Sequence, residues 1–293
     1  MNPAIGTLAV IGVGLIGGSL ARALRAEGKV ERVVGCGRGR DNLQRALELG
    51  VIDDYTHEVA EAVRDADMVF VAVPLGAMRG VFEQMCDHLR PGAVITDGGS
   101  AKASVIADFR AVCPQHAARF VPGHPIAGTE HNGVEASFAE LYRNRRVILT
   151  PEPDTSDDAR ARVIAMWQAC GAEVVEMGVQ RHDRVLAATS HLPHMLAFGL
   201  VDALARMDEH DDIFRFAAGG FRDFTRIASS NPVMWRDICI ANSEALSRMM
   251  VSFADEMKDL AASIEQADAD HLLAIFERAK AARDAYVDGL GDG

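Results

Sequence analysis

Four stretches of this 293-residue chain concentrate side chains able to move a proton or hold an anion. GHPIAGTEHNG, residues 123–133, sets His124, Glu130 and His131 among glycines, too broken for helix or strand. DGGSAK (97–102) offers Ser100, and TSHLPH (189–194) offers His191 beside Pro193. GGFRDFTRIASSNP (219–232) puts Arg222 and Arg226 four apart, on one helical face, where a guanidinium fork suits a planar carboxylate. A histidine can accept a proton near neutrality, but a lone loop histidine is more often a surface group. His191 and His194 are three apart, yet no partnering Cys or carboxylate spacing follows, so no metal site is expected. His131, His182 and His194 read as polar packing or surface groups.

The elements that must position these groups come in two kinds. Up to residue 178, apolar strand runs alternate with helical segments. LAVIG (8–12), ERVVGCG (31–37), DMVFVAVP (67–74), GAVITDGG (92–99), RRVILTP (145–151) and AEVVEM (172–177) are strands, and RFVPGHP (119–125) carries a further short strand into the loop at 123–133. DNLQRALELG (41–50) reads as a helix capped by Asp41 and stopped by Gly50. Such alternation implies an α/β Rossmann-type doubly wound parallel sheet. Ser100 and His124 both follow sheet strands, so they should emerge at the carboxyl ends where ligands bind.

After residue 178 the strand signals stop. Residues 180–206, 221–229, 232–264 and 268–288 read as helices, with Asn231 as N-cap before Pro232. Leu246, Met249, Met250, Phe253, Met257, Leu260 and Ile264 recur at helical spacing as a packing stripe. The reading is a dinucleotide-binding domain at 1–178 and an all-α helical domain at 179–293, the latter a dimerisation surface for a second copy.

The first strand runs into Gly12-x-Gly14-x-x-Gly17 and then a helix, the context that makes a GxGxxG informative. Gly12 serves the tight turn, Gly14 the approach of a pyrophosphate and Gly17 close helix packing, while Leu15 and Ile16 open the helix over the phosphates. The second strand ends Gly37-Arg38-Gly39-Arg40, with no acid before Asp41. A carboxylate there would repel a 2′-phosphate and an arginine would pair with it, so Gly37 and Arg38 point to NADP. NAD stays open, since both arginines can simply lie in solvent.

Bulk composition narrows the classes. A net charge of −12 argues against a nucleic-acid surface, and no apolar run is long enough for a membrane span. Hydrophobic residues at 49% allow a real core. The start, MNPAIGTLAVIG, lacks the basic region of a signal peptide, and the five cysteines show no paired spacing. A reduced, cytoplasmic protein is the expectation.

GHPIAGTE, SHLPH and FTRIASSNPVMWRDI, together with Gly12–Gly17, are the motifs by which the chain resembles the prephenate/arogenate dehydrogenase family almost end to end. The resemblance implies a nucleotide-binding domain followed by a helical dimerisation domain. It also implies oxidative decarboxylation of a cyclohexadienol, with hydride passing to the nicotinamide. On the matching positions, His124 would accept the proton of the ring hydroxyl, Ser100 would hydrogen-bond that hydroxyl, and His191 would be a second active-site histidine. Arg226 would bind a substrate carboxylate, and Thr129 and Glu130 would line the pocket. Many members carry an acid where this chain has Gly37. Some are fused to a mutase or a regulatory domain, for which this chain leaves no length. Two alternatives stand beside this reading. Another NADP-linked two-domain dehydrogenase would usually use a lysine in its helical part, and residues 180–257 contain none. A non-catalytic NADP(H) sensor would not need Ser100, His124, His191 and Arg226 together.

Overall fold

The computed structural model describes residues 5–129 and 131–289. The chain forms two compact units, Met1–Ser243 and Glu244–Gly293. In the first, β1 (Ile5–Ile11), β2 (Val30–Cys36), β3 (Asp54–Thr56), β4 (Met68–Val71), β5 (Val94–Asp97) and β6 (Phe120–Val121) make one sheet. Its order is β3-β2-β1-β4-β5-β6 and every pairing is parallel, as a doubly wound nucleotide fold requires. The helices are α1 (Leu15–Ala26), α2 (Arg40–Glu48), α3 (Val59–Val63), α4 (Leu75–Met85), α5 (Ala103–Val112) and, later, α6 (Asp157–Ala169).

The pleat explains why helices cover both faces. Successive side chains of a strand point to opposite sides, so Leu8 and Val10 of β1 join Leu20, Leu43 and Trp167 in one core. Ala9 and Ile11 join Val63, Phe82 and Phe109 in the other. A strand buried on both faces reads as a continuous apolar run rather than an alternating one, as LAVI does.

Several elements differ from the sequence reading. β3 and α3 carry too little apolar pattern to stand out. The strand series does not continue in one sheet: β7 (Gly123–Pro125), β8 (Arg146–Leu149) and β9 (Glu173–Glu176) form a separate three-stranded sheet. β7 runs antiparallel to β8, with His124 opposite Ile148, so the histidine lies in a strand and not in a free loop. Asp41 does not cap α2. Gly39 takes the cap position and Asp41 lies exposed in the first turn.

The helices beyond residue 178 are also more broken than their periodicity suggests. α7 (Val179–Leu186) passes through a π turn, Ala187–His191, into α8 (Leu192–Ala205). Pro193 has no N–H to return to the preceding turn, and the backbone widens there. α9 (His210–Arg215), α10 (Gly219–Thr225) and α11 (Pro232–Ala241) follow, the last capped by Asn231 as expected. Asn242 ends α11, so the stretch 232–264 is two helices. α12 (Ser243–Glu265) and α13 (Ala269–Asp288) make up the second unit. There Met250, Val251, Met257, Ile264, Leu273, Phe276 and Tyr286 are exposed. No described helix is long and apolar enough to cross a membrane.

Candidate active site

The carboxyl ends of β1, β2 and β4 border a cleft of about 530 Å³ lined by Gly12, Gly14, Gly37, Arg38, Asn42 and His57, among others. The three glycines of the turn after β1, Gly12, Gly14 and Gly17, do different work. Gly12 has φ +101°, a conformation L side chains rarely adopt, and a Cβ there would strike Ala72 O. A Cβ on Gly17 would strike Gly12 O, so that glycine lets α1 pack against the turn. A Cβ on Gly14 would meet no heavy atom within 4 Å; that side is open. No side chain caps α1, whose first N–H groups are left for an anion. Leu15 is buried, and Ile16 gives its carbonyl to Tyr142 Oη at 2.6 Å. Together these features fit a dinucleotide.

Arg38 is exposed where it borders the cleft, and His57 Nδ1 stands 2.8 Å from Gly37 O on the same side. Asn42 joins this cleft to the turn that follows the 123–133 segment: its Nδ2 donates to Val13 O at 2.6 Å and its Oδ1 accepts from Val134 N at 3.0 Å.

A second constellation assembles around Asp97, the last residue of β5. Asp97 Oδ2 accepts from Gly99 N at 2.8 Å and Oδ1 from Gly123 N at 3.1 Å. Lys102, wholly buried like Asp97, forms an ion pair with it and donates to Gly123 O at 2.6 Å. Burial pushes the Lys102 ammonium down from its usual range against the pull of Asp97. The pair clamps the start of β7, and the next residue is His124.

His124 is only 8% exposed. Its Nδ1 lies 2.9 Å from His182 Nε2, and His182 Nδ1 lies 2.8 Å from Asp183 Oδ1. The Asp183 carboxylate also accepts from the backbone N–H groups of Lys102 and Ala103, both at 2.9 Å. Burial alone would raise the Asp183 carboxyl, but the hydrogen bonds from His182, Lys102 and Ala103 outweigh it and hold it below its ordinary range. Burial, and then the neighbouring His182, Lys102 and His191, push the His124 imidazole well below 6.5. It is neutral at physiological pH and able to accept a proton.

His191 closes the π turn and is fully buried. Asn242 Nδ2 reaches both Asp183 O at 2.8 Å and His191 Nδ1 at 3.1 Å. His191 Nε2 has no partner among the described residues, and burial brings its pKa down to about 4. His194 turns elsewhere: it stacks on Trp235 with ring centroids 3.7 Å apart and reaches Ser190 O at 2.8 Å. Burial lowers the His194 imidazole, with a smaller push from Arg226, which brings that guanidinium into the same neighbourhood.

Of the remaining residues singled out from sequence, Ser100 is half-buried in the turn after β5, next to the Asp97–Lys102 pair. Arg226 is exposed and opens the 3-10 turn after α10, while Arg222 stands out in solvent beside Asp223. Thr129 is exposed, its Oγ1 accepting from His131 N at 3.2 Å. Glu130 lies outside the described residues. The sequence reading passed over Asp97, Lys102, Asp183 and Asn242 and took His182 for packing. A His-Asp dipeptide in a helix carries no signal by itself; its partners lie 58 and 81 positions away.

Comparison with known proteins agrees with this architecture. The family model for the prephenate dehydrogenase nucleotide-binding domain matches residues 20–176, and that for the prephenate dehydrogenase dimerization domain matches 179–278. A cyclohexadienyl dehydrogenase of Zymomonas mobilis is 39% identical over 94% of each chain. The crystal structure of Aquifex aeolicus prephenate dehydrogenase, in complex with hydroxyphenyl propionate and NAD+, superposes with a TM-score of 0.90 at 34% identity. It covers 96% of this chain and 98% of that one. A Synechocystis arogenate dehydrogenase gives a TM-score of 0.81 at 26% identity, covering 96% and 99%. With a dinucleotide cleft at the head of the sheet and a buried neutral histidine in the strand after it, this chain belongs to the prephenate dehydrogenase family of oxidoreductases.

Proposed function

We propose that the chain oxidatively decarboxylates prephenate or its amino analogue arogenate, with NADP preferred over NAD, giving 4-hydroxyphenylpyruvate or tyrosine. The observation that carries this reading is His124, a neutral histidine held by its Nδ1 and enclosed except for a small exposed area. The bound nicotinamide supplies a hydride acceptor. As hydride leaves the hydroxyl-bearing ring carbon, His124 Nε2 takes the hydroxyl proton; the bond from the ring to the departing carboxylate breaks, its electron pair enters the ring, which becomes aromatic, and the phenolate oxygen takes the proton back. Ser100 holds the same hydroxyl, and Arg226 pairs with a substrate carboxylate. His191 contributes a second imidazole, and Thr129 edges the pocket. A positioned base of this kind contributes on the order of 10²–10⁴-fold in rate. Aromatisation drives the loss of carbon dioxide, so orientation is the protein's main task.

The NADP preference rests on this chain's own residues: Arg38 borders the cleft, and the first acid after β2 is the exposed Asp41. A dimer through the helical region 179–293 is supported by the exposed apolar side chains of α12 and α13 and by the family model matched there. Light scattering on the purified protein should report twice the chain mass.

Steady-state turnover with prephenate and with arogenate, each against NAD and NADP, tests the reading. Activity with either substrate that disappears in a folded His124→Asn variant supports it. No activity with any of the four pairs overturns it.

A further inference from the structure

Two buried histidines stand in this site, and nothing in an imidazole by itself says which nitrogen carries the proton. We propose that Asp183 sorts them by tautomer: through His182 its carboxylate leaves His124 with a bare Nε2, and through Asn242 its backbone carbonyl leaves His191 with an Nε2–H. The proposal rests on the assignment of His124 as the base and adds three positioning residues to it, His182, Asp183 and Asn242.

The first arm follows from what each atom can do. The Asp183 carboxylate already accepts two backbone N–H groups, from Lys102 and Ala103, so it stands as an acceptor. His182 Nδ1, 2.8 Å from it, must carry the hydrogen between them. A neutral imidazole has one N–H, so His182 Nε2 is a lone pair. That nitrogen is 2.9 Å from His124 Nδ1, and a contact between two ring nitrogens needs one hydrogen, which only His124 can supply. His124 Nε2 is left bare, as an acceptor of a hydroxyl proton must be.

The second arm starts at a carbonyl, which never donates. The Asn242 atom 2.8 Å from Asp183 O must be its NH₂ group, and this fixes the amide orientation. The second hydrogen of the same NH₂ meets His191 Nδ1 at 3.1 Å, which must therefore accept. The single proton of neutral His191 is forced onto Nε2, a buried donor with no partner among the described residues. A ligand oxygen would satisfy it. One residue thus gives the site an acceptor and a donor made from the same side-chain type.

The sorting also says whose protonation ends activity at low pH. The groups facing His124 are His182 and Asp183 from α7, Lys102 and Asp97 from the β5–α5 segment, and His191 from the π turn. One added proton on the His124–His182 pair, on either ring, makes the outward nitrogen of His124 a donor. The acid limb of kcat/KM therefore belongs to the pair and not to His124 alone.

The test is nitrogen–proton correlation spectroscopy on the full-length protein labelled with 15N-histidine, read at pH 8. Single His→Asn variants at 124 and 191 assign the signals. The expected result is His124 protonated at Nδ1 and His191 protonated at Nε2. In His182→Gln the amide oxygen can still accept from His124 Nδ1, and the His124 tautomer should persist. In His182→Phe the acceptor is gone: kcat should fall on the order of 10²-fold with KM within about threefold, and the acid limb should move. Wild-type spectra with His124 protonated at Nε2, or a His182→Phe enzyme with unchanged kcat and pH profile, would overturn the sorting. Turnover that survives His124→Asn would remove the base assignment instead, and the wild-type spectra would still decide the tautomers.

Discussion

The cofactor cleft and the histidine cluster are built on different principles. The cleft turn is local: Gly12, Gly14 and Gly17 sit within six residues, and backbone conformation and missing Cβ atoms do most of the work. The cluster is long-range. Asp97, Lys102, His124, His182, Asp183, His191 and Asn242 come from β5, the start of α5, β7, α7, the π turn and the end of α11, tied by hydrogen bonds that span up to 81 positions. A local site tolerates change in the rest of the chain. An assembled site makes chemistry and stability depend on the same buried groups.

That contrast can be broken or sharpened by experiment. The largest effect is expected at His124: His124→Asn should lower kcat on the order of 10²–10⁴-fold while NADP binding, followed by fluorescence quenching, persists. Loss of both together would mean that the two regions are not separable. Lys102→Met should next cost about 3–5 kcal/mol in urea unfolding, because it leaves the Asp97 carboxylate buried without its cation. A loss below about 1 kcal/mol would show the cluster to be less interdependent than its contacts indicate.

The pH dependence comes third. Folded His191 binds no proton until about pH 4, whereas an unfolded histidine binds one near pH 6.5. Between those values the unfolded chain holds more protons, so stability must fall as pH drops. Down to pH 5 His191 accounts for about 2 kcal/mol of this fall, and His124, held well below 6.5, adds to it. Chemical denaturation at pH 7.5 and 5 measures it, and equal stabilities would contradict burial of neutral imidazoles.

The cleft should respond more gently. Arg38→Glu should weaken NADP by roughly 10- to 100-fold, the worth of a charge-assisted hydrogen bond, with little change in melting temperature. The smallest effect on the fold is expected at Gly14→Ala, which should keep Tm within about 2 °C yet bind cofactor less well, since its Cβ points into open space. Gly17→Ala, whose Cβ would strike Gly12 O, should lose stability instead.

Much of the architecture is legible in the chain because its signals are local. Apolar runs such as LAVI and VFVAV, the glycine spacing that follows the first of them, and Asn231-Pro232 at a helix start each act within a few residues. The same holds for the missing acid beside Arg38. His124 and His191 drew attention through motifs, but the reason either one can work lies elsewhere in the chain. His182 looked like packing because His124, 58 positions away, meets it only after β7 and α7 come together. Asn242 looked like one more position in a long helix; the break there is what lets its amide reach Asp183 and His191. GHP read as loop because β7 exists only through its pairing with β8, more than twenty positions on. Periodicity and turn chemistry, which act between neighbours, determined the sheet, its helices and the nucleotide turn. Tertiary structure alone decided which nitrogen faces which acceptor, because a hydrogen bond is set by distance and direction in space and leaves no mark on spacing in sequence.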